Sequence, residues 1–219
     1  MQELLLILHL FLFCYWLGGD IGVFYSSGFA ADASLGIEAR MTAAKIMLAL
    51  DIVPRVCAAL MLTVGGLLSE YSGISHPAWQ LAAIIALAPL WAGMELIMHV
   101  KHDTPLGQGL AKFDNPFKIA LMIICVVSVF WSFSTGHLAA APWVGYKILV
   151  FAFIIFCSLM INKTVGPYIA GIQKIAAGQI NDAENIAMAA SLRQVKWAVV
   201  GIWAGLALAA ILGVLKPGG

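Results

Sequence analysis

Charged residues are scarce in this chain. Only 11% of its 219 residues are Asp, Glu, Lys or Arg, whereas 62% are hydrophobic. A soluble domain carries about 25% charged residues, so this composition excludes an ordinary water-soluble fold. The net charge of +1 also gives no sign of the basic surface that binds nucleic acid. The composition therefore predicts an integral membrane protein whose main surroundings are the lipid bilayer.

The chain also lacks several motifs of soluble enzymes. It contains no nucleotide-binding loop and no nucleophile triad, which argues against ATP-driven or hydrolytic chemistry. It begins with Met-Gln-Glu rather than the basic stretch of a secretory signal, so the first apolar segment is expected to be a retained helix. The cysteines have neither zinc-binding nor disulfide spacing, and each is interpreted as a small buried hydrophobe. They are Cys14, Cys57, Cys125 and Cys157.

Long apolar runs fill most of the sequence. Six of them are long enough to cross ~30 Å of hydrocarbon as helices. With little chain left over, the sequence predicts one all-α domain over residues 1–219, a polytopic bundle of six transmembrane helices. The predicted spans are 4–27, 46–69, 79–100, 117–138, 143–163 and 196–215.

Lysine and arginine predict the orientation. They concentrate in the connections 29–45, 101–116 and 164–195, whereas the opposite side carries only Lys216. Cytoplasmic connections are enriched in these residues, so both termini are expected on the periplasmic side of a bacterial inner membrane. The first and third connections are expected to form short surface helices, the third with Asn181 or Asp182 as an N-cap.

Two histidines lie inside apolar stretches at matching depth. His9 is one and a half turns into the first span, and His137 is expected at the end of the fourth. Lys147 falls one turn into the fifth span, which starts at Pro142, so all three belong to one periplasmic layer. An intramembrane histidine is a candidate for function, and paired imidazoles from different helices suit a heme iron.

These residues predict a heme b site. His9 and His137 would be axial ligands, Lys147 would pair with a propionate, and Trp16 lies on nearly the same helix face as His9. Structural interpretations stay open beside this one. His137 at a helix end has an easy hydrogen-bond partner in a carbonyl or a lipid headgroup, and Lys147 is close enough to the surface to extend into water.

A second polar layer is predicted nearer the cytoplasm. Asp20 lies eleven residues, or ~16 Å, beyond His9. Charged groups at such depth must face the interior and find partners. Three interpretations stay open: an internal ion-pair network, a proton path that includes Ser158 and Asn162, or a metal site that needs a further ligand from another helix. The other candidates are Asp51, Arg55, Glu95, His99 and His102.

Methionines supply a competing hypothesis. Met94 and Met98 are one turn apart in the third span and precede His99. Thioethers suit Cu(I), so these residues would pass copper inward after the outer histidines had taken it up. Core packing is the simpler interpretation of methionines at helical spacing.

Three segments, in order and spacing, resemble copper resistance protein D (CopD)-like membrane proteins and the related HemJ-type protoporphyrinogen oxidases. Residues 7–19 contain Ile-Leu-His-Leu and end in Tyr-Trp-Leu-Gly-Gly. Residues 134–139 read Ser-Thr-Gly-His-Leu-Ala and are similar to a Thr-Gly-His-Ala segment. Lys147, followed by Asn-Lys at 162–163, is similar to the next helix, and residues 62–66 match loosely.

The resemblance implies two functions. HemJ-type proteins bind heme b through a first-helix histidine, here His9, and need a lysine that matches Lys147. CopD-like proteins are associated with moving copper across the inner membrane. The expected function is therefore a heme b redox protein, or a heme-dependent oxidoreductase, that exchanges electrons with a quinone, a cytochrome or a tetrapyrrole. A copper transporter is the alternative, and a scaffold subunit or a homo-oligomer stays open.

Overall fold

The computed structural model of the protein describes residues 1–218. These residues form seven helices and no strand. The helices are α1 Gln2–Ala31, α2 Ile37–Glu70, α3 Ala78–Val100, α4 Pro105–Ser134, α5 Pro142–Thr164, α6 Gly166–Ala176 and α7 Asp182–Leu215.

All of the described helices except α6 are long and apolar enough to cross a membrane. The predicted all-α polytopic bundle is thus confirmed. The three connections rich in lysine and arginine are shorter than predicted, because the helices continue past the hydrophobic runs. The first connection is 32–36 rather than 29–45, α4 begins at Pro105 rather than at 117, and α7 begins at Asp182 rather than at 196.

Local sequence explains where these helices begin. Pro105 and Pro142 occupy the first turns of α4 and α5, where a missing N–H costs nothing. Thr104 caps α4 by accepting a hydrogen bond from the backbone N–H of Gly107. Asn181 caps α7 in a capping box with Glu184, which confirms one of the two predicted N-cap positions.

The end of α4 corrects one prediction. His137 was expected to be the last helical residue, but α4 ends at Ser134. Gly136 has a φ of +72°, a left-handed conformation that glycine adopts easily and that stops the helix. The hydroxyls of Ser134 and Thr135 donate to the carbonyl of Trp131. His137 consequently lies in the turn 135–141.

The two ends of the bundle differ. We call the end with the connections 32–36, 101–104 and 165–181 the basic face, and the end with 71–77 and 135–141 the outer face. At the basic face the buried guanidinium of Arg40 donates to the Ala30 carbonyl at 3.0 Å and to Asn185 Oδ1 at 2.9 Å. These bonds tie the ends of α1, α2 and α7 together.

Gly107, in the first turn of α4, lies so close to the preceding connection that there is no room for a side chain. A Cβ there would overlap the backbone carbonyl of Lys101, whereas a Cβ at Gly109 would meet nothing within 4 Å. Backbone cannot move aside as a side-chain tip can, so Gly107→Ala should cost about 1–3 kcal/mol. Thermal unfolding in detergent should show a lower Tm for Gly107→Ala and no decrease for Gly109→Ala. Equal Tm values would contradict this packing.

Candidate functional site

The outer layer is assembled from the ends of three helices. His9 lies ~10 Å along α1 from its start, and Lys147 lies ~8 Å along α5 from its start, both measured from the outer face. Gly65 lies ~8 Å before α2 ends at that face. A Cβ on Gly65 would be 3.4 Å from His9 Cε1, so the absence of a side chain lets the imidazole rest against α2.

His9 and Lys147 both lack protein partners that would satisfy them. The Nδ1 atom of His9 is buried and has no hydrogen-bond partner. Within residues 1–218, no carboxylate lies within ion-pair distance of Lys147. Its Nζ lies 3.0 Å from the position that a Cβ on Gly213 would take and 5.7 Å from the ring centre of Trp143. Lys216 Nζ lies at the same distance from that ring.

His137 has a different neighbour from the one the sequence predicted. Its exposed ring packs edge-on against His76, with ring centres 6.5 Å apart. His76 Nδ1 is in turn hydrogen-bonded to Glu70 Oε1 at 2.6 Å. Among the described residues, no hydrogen bond or ring contact joins His137 to His9. His76 was missed because it lies in a polar connection, outside the apolar runs where histidine draws attention.

Aromatic rings lie between the outer layer and the charged layer. Trp16 is buried and packs edge-on against Phe151 at 6.0 Å, and Phe151 packs against Trp91 at 6.4 Å. We call these three residues the aromatic wall. Trp16 is ~10 Å beyond His9 along α1, and Asp20 is ~6 Å further. The aromatic wall therefore lies between His9 and the charged groups and lines the outer side of the charged layer.

Glu95 is at the centre of the charged layer. Only 1% of it is exposed. Its Oε1 lies 3.2 Å from Lys118 Nζ and accepts from Trp91 Nε1 at 3.2 Å, while its Oε2 lies 3.6 Å from Arg55 Nη1. One carboxylate from α3 is thus shared by cations from α2 and α4.

Each cation also has a carboxylate on its own helix. Arg55 Nε donates to Asp51 Oδ2 at 2.8 Å, and Lys118 Nζ donates to Asp114 Oδ2 at 2.7 Å, both one helical turn away. The result is a continuous sequence of five groups, Asp51, Arg55, Glu95, Lys118 and Asp114, which we call the ion-pair chain. Glu95 Oε2 and Asp114 Oδ1 are buried with no hydrogen-bond donor.

Asp20 faces the same region from α1 but stands outside the ion-pair chain. Its Oδ2 accepts a hydrogen bond from Trp203 Nε1 at 3.0 Å. Asp20 lines a cavity of about 110 Å³ together with Asp51, Arg55, Glu95, Lys118 and polar residues of α5. That volume holds several water molecules, each of which occupies ~30 Å³ in the liquid.

The α5 end of this cavity reaches the basic face. Ser158 and Asn162 line it, and Asn162 Nδ2 donates to Asn115 Oδ1 at 2.8 Å at an exposed position. The structure therefore places Asp20, Asp51, Arg55, Glu95, Ser158 and Asn162 around one cavity.

Other candidates lie elsewhere. His99 is exposed on α3, and His102 lies in the connection after it, 3.0 Å from Asp103. Met94 is buried in the core, whereas His99 is exposed. These two residues therefore do not line one path for a copper ion. Over residues 1–218, no group of three or more His, Cys, Asp or Glu is arranged to hold a metal ion.

Asp114 and Lys118 were missed as site residues. The predicted fourth span began at 117, which put Asp114 in a cytoplasmic connection and Lys118 at its edge. Both are about 5% exposed. Their spacing of four residues, which suits a helical ion pair, is the signal that would have indicated them.

Comparisons with known proteins identify no relative of this chain. No family model matches it, and neither the curated proteins nor the solved structures give a significant match. The functional proposal therefore depends on the geometry of the site.

Removing the cation of Lys118 should destabilise the bundle strongly. Lys118→Met would leave the carboxylate of Asp114 and the Oε1 atom of Glu95 buried without a counter-charge. Breaking a buried ion pair costs about 3–5 kcal/mol. The matched control is Lys112→Met, because Lys112 is an exposed lysine on the same helix. Denaturant unfolding in detergent should separate the two variants by that amount, and the further change Asp114→Asn should restore part of the loss. Equal stabilities would contradict a buried network.

Proposed function

We propose that the protein is a heme b-binding membrane redox protein with the heme near the outer face. His9 supplies one axial imidazole, and Lys147 supplies a positive charge for the propionates. The observation that carries this proposal is the buried Nδ1 of His9, which has no hydrogen-bond partner. A buried imidazole nitrogen without a donor or acceptor costs free energy unless something occupies it, and a heme iron is a good match for it.

The residues present fit such a group. Because Gly65 and Gly213 have no side chains, the imidazole of His9 lies directly against α2 and the ammonium of Lys147 lies directly against α7. No described acid competes for Lys147. Trp143 lies between Lys147 and Lys216 and adds an aromatic face to the same region. The outer layer therefore offers an imidazole, cations and an apolar aromatic lining together.

A second imidazole for the group would come from the outer face. We keep His137 in that role because it lies at the outer face, and its recorded ring contact is with His76 alone. The turn 135–141 would have to bring it toward α1. His76, already oriented by Glu70, is the neighbouring imidazole that would serve in its place.

The chain's own residues have distinct tasks in this function. Heme b, when bound, supplies one-electron redox chemistry. His9 would hold the group through its imidazole, Lys147 would pair with its carboxylates, and the rings of the aromatic wall would keep water away from its inner side. The electron partner proposed is a quinone, a soluble cytochrome or a tetrapyrrole substrate.

The likeness of residues 7–19 and 134–139 to CopD-like and HemJ-type proteins supports this proposal. We further propose that the protein lies in the bacterial inner membrane with the basic face in the cytoplasm. The predicted connections 29–45, 101–116 and 164–195 carry six of the twelve lysine and arginine residues, whereas the opposite connections and the C-terminal tail carry only Lys216.

Absorption spectroscopy tests heme binding directly. Protein purified from heme-supplemented cells should show a Soret band and a b-type α-band after reduction. His9→Ala should abolish both bands, and Lys147→Ala should weaken heme binding roughly ten- to hundredfold, as expected for a lost charge-assisted bond. His99→Ala is the control because His99 is exposed on α3 and should change nothing. His137→Ala and His76→Ala then show which imidazole is the second ligand. A colourless wild-type preparation would refute the proposal.

Copper transport is the second candidate, and the paired rings of His76 and His137 favour it. Adjacent imidazoles at the outer face suit capture of a copper ion. In that case elemental analysis should find copper in the purified protein, and changing both His76 and His137 to alanine should remove it. The separation of Met94 from His99 weighs against passage along α3.

A further inference from the structure

The charged layer contains more acid than base. Asp20, Asp51, Glu95 and Asp114 supply four carboxyl groups, and Arg55 and Lys118 supply two cations. Full ionisation would leave two more negative than positive charges in this layer, in which the side chain of Asp51 is 33% exposed whereas Glu95 and Asp114 are buried. An uncompensated charge there costs several kcal/mol, so the layer must take up positive charge from outside the protein.

Asp20 is the carboxyl group without a cation. Arg55 is engaged by Asp51 and Glu95, and Lys118 by Asp114 and Glu95. No described cation lies within 4.0 Å of Asp20, whose one recorded partner is the neutral indole N–H of Trp203. The charged groups that line the cavity with it are Asp51 and Arg55 from α2, Glu95 from α3 and Lys118 from α4. The cavity lining contributed by α5 is uncharged.

The geometry favours a proton over a metal ion as the missing positive charge. A cation such as calcium needs several oxygen ligands that converge. In the described part of the chain, no three acidic, histidine or cysteine side chains converge in that way. A proton needs only one carboxylate oxygen and a water molecule to deliver it, and the cavity has room for both.

We propose that Asp20 reversibly binds a proton delivered by water in this cavity. A hydronium ion in the cavity transfers its proton to a carboxylate oxygen of Asp20. The new O–H bond leaves a neutral carboxylic acid and a water molecule, and no electron moves. Release reverses the step. The inference is independent of heme binding, because it uses no residue of the outer layer.

The route for this proton leads to the basic face. Ser158 and Asn162 extend the polar lining of the cavity along α5, and Asn162 is bonded to the exposed Asn115. In the opposite direction Trp16, Phe151 and Trp91 close the interior with packed rings. The polar lining therefore gives Asp20 a route for proton exchange toward the basic face.

Infrared spectroscopy of the heme-free protein tests the proton on Asp20. A protonated carboxyl group has a C=O stretch that a carboxylate lacks. This band should appear in wild type as the pH is lowered from 8 to 5. Asp20→Asn should lack it, and Asp103→Asn should show it because Asp103 is exposed at the basic face. Asparagine can still accept from Trp203, so the variant should fold. Trp203→Phe should shift the band by removing that hydrogen bond.

Two outcomes would overturn the proposal: no such band in wild type, or a band that survives Asp20→Asn and disappears in Glu95→Gln. The second outcome would move the proton to the ion-pair chain. Neither outcome concerns heme binding, so a failure of the proton proposal can be distinguished from a failure of the heme proposal.

Deuterium exchange tests the route. After transfer into deuterated water, the carboxyl band should shift, and Asn162→Leu should slow that shift several-fold by removing the polar link. Lys163→Leu is the matched control, since Lys163 is the next residue on α5 and is exposed. Equal exchange in both variants would refute access through Asn162.

Discussion

The shared carboxylate of Glu95 is the interaction on which the interior of this bundle depends. In lipid, helices gain little from the hydrophobic effect between them, because lipid tails are as apolar as leucine. Glu95 draws Arg55 from α2 and Lys118 from α4 to one buried point on α3. It thereby fixes the relative positions of three helices in a way that apolar packing alone would not. Removing any one partner leaves a buried charge, so the chain of groups is held as a unit.

That constraint also creates the cavity. Long cationic side chains that meet at Glu95 cannot pack as densely as leucine and isoleucine do, and space remains between α1, α2 and α5. Asp20 borders this space without entering the ion-pair chain. The aromatic wall then closes the cavity on the outer side, because Trp16, Phe151 and Trp91 fill the bundle where the charged residues stop. The outer layer and the charged layer are therefore separated by three rings.

Hydrophobicity predicted the six long helices because a spanning segment has one strong constraint, its apolar length. It did not predict their ends, since α4 and α7 extend into water where polarity hides the helix and only caps such as Thr104 and Asn181 mark its start. The pair Asp51 and Arg55 was visible from its spacing. Lys118 has the same spacing from Asp114, but the predicted span began at 117 and so put this pair at the edge of a connection; its contact with Glu95 on α3 leaves no local pattern. His137 was placed wrongly at a helix end because Gly136 stops α4.

The separation of the two layers sets how strongly they sense each other. His9 and Asp20 lie ~16 Å apart along α1. At an effective dielectric constant of ~20, two unit charges at that distance interact by about 1 kcal/mol. An electron added beside His9 would therefore raise the proton affinity of Asp20 roughly fivefold, with no movement of the backbone. The packed rings between the two layers do not block the electric field, and so they permit this coupling.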